Sequence, residues 1–114
     1  MSGEESILET LRSLLGPSED YEAFDTDIIV HANSAFARLC ELGVGPSEPF
    51  HIEDDSATWQ DFTTKNPLWQ VMRFVYMYVK KIFDPPANAT IMQAIDHELD
   101  KLEWTMCSDA EVGY

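Results

Sequence analysis

The sequence predicts a mainly α-helical domain: four helices, with a small β-hairpin or irregular insertion between the second and the third. Three observations carry this. Apolar residues recur at helical spacing in four separate segments. Gly and Pro pairs punctuate those segments: Gly16-Pro17, Gly45-Pro46 and Pro85-Pro86. The chain has 114 residues, enough for one core and little more.

The first helix spans about 4–15, with Ile7, Leu8, Leu11, Leu14 and Leu15 on one face. The second runs from about 26 to 42. Asp25 or Thr26 can cap its amides, Phe24 is placed to act as a hydrophobic staple, and Gly43 ends it. Its buried face reads Ile28, Ile29, Ala32, Ala35, Phe36 and Leu39. Between 44 and 62, Phe50 and Ile52 alternate with His51 and Glu53, which suits a short strand, and Thr58-Trp59 suits its return. A short helix over Ser56 to Phe62 is the rival reading. The third helix starts at Asn66-Pro67 and runs to Phe83, and the fourth spans about 89–106 with Ile91, Ile95, Leu99, Leu102 and Met106 as its stripe. The expected core is Leu11, Ile29, Phe36, Leu39, Val75, Val79, Ile95, Leu99 and Leu102. Residues 1–106 form the domain and 107–114 a polar tail that keeps Val112 and Tyr114 as anchors.

Charge separates function classes. Seven bases against 21 acids give a net charge of −14, which opposes wrapping around nucleic acid. The acids crowd both ends, whereas residues 62–83 contain none and hold Lys65, Arg73, Lys80 and Lys81. Twelve of the sixteen residues from Leu68 to Phe83 are apolar or aromatic, so the third helix needs cover on most of its girdle. The four bases either pair within the fold or meet acids of adjacent copies, and part of the apolar cover is expected from a neighbouring subunit.

No catalytic constellation emerges. His97-Glu98-Leu99-Asp100-Lys101 opens like a zinc-protease motif but lacks the second histidine. There is no nucleophile elbow, phosphate loop or dinucleotide fingerprint. Cys40 and Cys107 read as two reduced thiols outside any metal spacing. No cofactor, metal or membrane span is expected, and the acidic start Met1-Ser2-Gly3-Glu4-Glu5 is not a signal peptide.

An ordered set of signatures resembles the head–tail connector family of tailed bacteriophages, the head-completion adaptors beneath the portal. It comprises Phe24-Asp25-Thr26-Asp27-Ile28-Ile29, Asn33-Ser34-Ala35-Phe36, Leu42-Gly43-Val44-Gly45-Pro46, Trp59-Gln60-Asp61-Phe62 and Tyr78-Val79-Lys80-Lys81-Ile82-Phe83-Asp84-Pro85-Pro86. The resemblance implies a non-enzymatic virion subunit, assembled in the host cytoplasm. It implies a ring, commonly of twelve copies, that docks on the portal, continues the DNA channel and links head to tail. Its partners would be further copies, the portal protein and the next connector or stopper protein, with DNA only passing through the lumen. By region, Trp104, Met106, Val112 and Tyr114 would face the portal. Val44, Phe50, Ile52 and Trp59 would face the next ring or tail. The charge order, rather than the resemblance, is what sets Lys65, Arg73, Lys80 and Lys81 between subunits. A reading from another class is a small acidic DNA mimic or regulatory protein that binds a basic partner.

Overall fold

The computed structural model describes residues 5–15, 24–46, 50–63, 68–83 and 85–111. Five helices lie among them: α1 (Ile7–Leu15), α2 (Asp25–Glu41), α3 (Trp59–Phe62), α4 (Leu68–Phe83) and α5 (Ala89–Glu111). The expected Gly16-Pro17 stop, the Asn66-Pro67 start and Asp84 of the third helix's stop lie outside the described residues.

The centre of the fold is α4. It packs chiefly on α2, and also against α5 and α1. Val71, Met72, Phe74, Val75 and Val79 are buried along it, together with Gln70. One copy of the chain therefore covers most of the girdle for which a neighbour was expected. What stays open is Trp69 and Ile82.

The end of α2 explains the Leu42-Gly43-Val44-Gly45-Pro46 break. Val44 N–H donates to Leu39 O at 2.9 Å and Gly43 N–H to Cys40 O at 3.1 Å, the paired bonds of a Schellman stop. Gly43 takes φ +82°, which a residue without Cβ adopts freely. Two residues on, Gly45 sits at φ +93°, and a Cβ there would lie 2.5 Å from Phe62 Cζ. This glycine lets the loop press against an aromatic ring.

At its start, α2 departs from expectation. Its N-cap is Phe24, with no side-chain cap. Asp25 is instead held by Arg12 of α1, whose Nε donates to Asp25 Oδ1 at 2.8 Å. Phe24 packs edge-on against Phe83 of α4 at 5.5 Å between centroids, rather than stapling its own helix.

The hairpin also gives way. Among the described residues there is no strand, only an isolated antiparallel bridge between Ser6 and Thr58. Ile52 has the right pattern for a strand, but the Asn33 carboxamide takes the place of a strand partner. Asn33 Nδ2 donates to Ile52 O at 3.0 Å, and Ile52 N–H donates to Asn33 Oδ1 at 2.7 Å. Thr58 pairs with the chain entering α1, where Ile7 N–H donates to Ala57 O at 3.0 Å. Thr58 and Asp61 then form a capping box that starts the single turn of α3, in line with the short-helix reading.

Of the expected core, Leu11, Phe36, Leu39, Val75, Val79, Leu99 and Leu102 are buried. Ile29 and Ile95 are only half-buried, at the edge of the cluster. The aromatic centre is Phe36, whose ring lies 4.7 Å from Phe62, 5.0 Å from Phe50 and 6.2 Å from Trp59 between centroids.

Candidate assembly surfaces

The four helices other than α3 form a rigid frame, and the side chains left open on it define the surfaces available to partners. Val44, Ile52 and Trp59 are fully or almost fully buried. Phe50 is half-buried in the Phe36–Phe62 ring cluster. Within one chain these four residues therefore support the 44–62 segment from beneath. The side chains it turns outward are polar: His51, Glu53, Asp54, Asp55 and Ser56. There Ser56 donates to Asp54 Oδ1 through its hydroxyl at 2.5 Å and its backbone N–H at 2.8 Å. The hydroxyl, and then the amide, hold the Asp54 carboxyl below its ordinary range.

At the other end of the sequence, Met106 is buried and Trp104 is 73% exposed. Helix α5 continues to Glu111, so the first residues after Met106 extend the helix rather than begin a loose tail. Val112 and Tyr114 lie outside the described residues.

The bases of α4 meet acids of α5 in the same chain. Arg73 Nε donates to Glu98 Oε1 at 3.1 Å, and Lys81 Nζ lies 2.5 Å from Asp96 Oδ1. Lys80 is half-buried and also has a partner, and Lys65 lies outside the described residues. A third ion pair joins α2 to α5, Arg38 Nε to Glu103 Oε1 at 2.7 Å. Glu103, and then Glu41, raise the Arg38 guanidinium above its ordinary value. Intrachain pairing thus accounts for the contacts seen at Arg73 and Lys81, and both side chains remain about half exposed.

Two grooves lie beside α4. One, of about 530 Å³, is lined by Leu14, Leu68, Trp69, Met72, Arg73 and Tyr76, and is predominantly apolar. The other, of about 560 Å³, has Phe74, Tyr78 and Leu99 in its lining, and the Arg38–Glu103 and Lys81–Asp96 pairs stand along it. Sequence reasoning missed the first groove, because Leu14 reads as an ordinary member of the first helix's apolar stripe. The available signal was the width of the apolar face around Trp69 and Tyr76.

Among the described residues no three His, Cys, Asp or Glu side chains come together as a metal site. Cys40 and Cys107 are half-buried free thiols. No helix of the described residues is long and apolar enough to cross a membrane. What the surface offers is open aromatic side chains and grooves on a packed helical body. Residues 7–113 match the family model described as phage connector protein. The chain belongs to the phage connector protein family. No curated protein and no solved structure matches it. As a phage connector it has a structural role in the virion and associates with other head and tail proteins. On this connector Trp69 and Trp104 are exposed, and the grooves lie along α4.

Proposed function

We propose that this connector is the subunit of a homo-oligomeric ring beneath the portal, which continues the DNA channel and links head to tail. The observation that carries the reading is family membership over residues 7–113. It is supported by a fold that closes its own core yet leaves Trp69 and Trp104 at 63% and 73% exposure. Large aromatics left open on a chain with a complete core are the residue type that anchors protein interfaces.

The C-terminal end, from Cys107 onward, docks on the portal. Continuation of α5 to Glu111 supports this, since a helix that runs on past the buried Met106 carries its end toward a partner. The 50–56 segment faces the next connector or stopper protein through His51, Glu53 and Asp55, with Val44, Ile52 and Trp59 fixing its shape from within. The net charge of −14 suits a channel wall that repels DNA and lets it slide.

The test is co-assembly with the portal protein of the same phage, read by class averages from electron microscopy. The full chain decorates the portal as a ring, whereas a chain lacking Ser108–Tyr114 stays folded and leaves the portal bare. Full decoration by the truncated chain places the docking end elsewhere. A chain that ignores the portal but binds a basic enzyme as a monomer refutes the connector ring in favour of the DNA-mimic reading.

A further inference from the structure

Trp104 is the most exposed of the large apolar side chains that are open on this fold, at 73%. One helical turn before it on the same face is Asp100, an exposed carboxylate. Among the described residues, the apolar groove beside α4 has Leu14, Leu68, Trp69, Met72 and Tyr76 for walls and Arg73 in its lining. Among the described residues Arg73 donates to Glu98 through Nε, and the terminal nitrogens of a guanidinium are further donors suited to a second carboxylate. We propose that Trp104 of one copy seats in this groove of the next, with Asp100 reaching Arg73, so that a single head-to-tail contact repeats around the ring. The inference rests on the ring reading above and names the residues that build it. It gives Trp104 to the adjacent copy and leaves the portal to residues beyond it.

Two arguments select a second copy as the occupant. The first is charge. Two chains of net charge −14 repel, and all of the groove's lining but Leu14 comes from the one long segment, 62–83, that contains no acid. The second is the failure of the symmetric alternative. Trp104 meeting Trp104 would set Asp100 and Glu103 of both copies near each other, acid against acid.

The test is sedimentation of the full chain over a concentration series up to millimolar, for the parent, Trp104→Ala and Asp100→Arg, with thermal melts alongside. Because Trp104 is exposed, Trp104→Ala melts with the parent while its self-association weakens about 30-fold or more, as for a central aromatic anchor. Asp100→Arg weakens it as well, and more so at low salt, because it sets two cations together. Association of Trp104→Ala equal to the parent's overturns the proposal and leaves the ring reading standing, with its contact elsewhere. A parent that stays monomeric throughout also overturns it, since assembly then depends on the portal rather than on this contact. Binding of the parent to the portal, measured separately, reports on the connector reading alone.

Discussion

Trp59 offers the sharpest test of how the 44–62 segment is built. Its indole is fully buried, lies 6.2 Å from the Phe36 ring, and donates from Nε1 to Thr10 Oγ1 at 3.2 Å. Thr10 Oγ1 in turn donates to Ser6 O at 2.7 Å, so the indole completes a short chain of bonds into the start of α1. Trp59→Ala removes a fully buried aromatic, a loss of about 3–5 kcal/mol. A chain of 114 residues has a total stability of roughly 6–17 kcal/mol, so that loss is a large share of it. At about 4 °C per kcal/mol for this size, the melting temperature falls by about 12–20 °C. Two gentler changes separate ring packing from the hydrogen bond. Trp59→Phe keeps an aromatic ring but loses the donor, and Thr10→Val keeps the shape but leaves a buried indole N–H unsatisfied at about 1–3 kcal/mol. Because the two residues share one bond, the double variant costs less than the sum of the singles. Circular-dichroism melts and urea titrations at one fixed protein concentration give all the values. A Trp59→Ala chain that melts within a degree or two of the parent would falsify the burial argument and return Trp59 to a partner-facing role.

Three further perturbations follow from the same packing. Gly45→Ala meets both a positive φ and the Phe62 ring, and lowers stability by more than Gly43→Ala, whose cost is about 1–2 kcal/mol from the left-handed backbone alone; urea midpoints order the two. Asn33→Ala strips both partners from the Ile52 backbone, at about 1–3 kcal/mol for each buried group left unmet, and amide exchange at Ile52 speeds up before global unfolding. Asp54 titrates below the ordinary carboxylate range, so its contribution to stability is present above the unfolded value and is lost as the pH falls through the lower folded one; Ser56→Ala returns its carboxyl resonance toward the ordinary titration, and an unmoved curve means that the Ser56 hydroxyl is not the cause.

The helices were legible because their signals are local. Apolar spacing marked the faces of α1, α2, α4 and α5, and the expected start of the last helix near 89 coincides with the cap that Asn88 supplies, its Oδ1 accepting from Thr90 N–H at 2.7 Å. Gly43 marked the Schellman stop for the same reason. Features that join distant residues were not legible. The Asn33 carboxamide holds Ile52, 19 residues away, through backbone groups that carry no sequence identity. The Ser6–Thr58 bridge ties together two segments that each read as unremarkable alone. Arg12 looks like a lone base in an acidic stretch until the fold brings Asp25 to it, which also frees Phe24 to pack on Phe83. The assembly residues belong with these. The resemblance placed Trp104 by region alone, and its exposure is read only from the fold; burial of Val44, Ile52 and Trp59 likewise depends on how three segments converge on Phe36.

The groove beside α4 has one wall from Leu14 and the rest from residues 68–76. Those walls are more than fifty residues apart in the sequence, and α1 is held by Thr58 and by Thr10's bond to Trp59. During synthesis the first helix can meet α2 early, through Arg12 and Asp25, but its ties to Thr58 and Trp59 wait until the chain has been made past residue 59, and the groove has no floor until α4 has left the ribosome. Trp104 comes later still. Neighbouring nascent chains on one message consequently present neither half of the proposed contact until those residues have been made. Assembly order is in this way written into the spacing of residues along the chain.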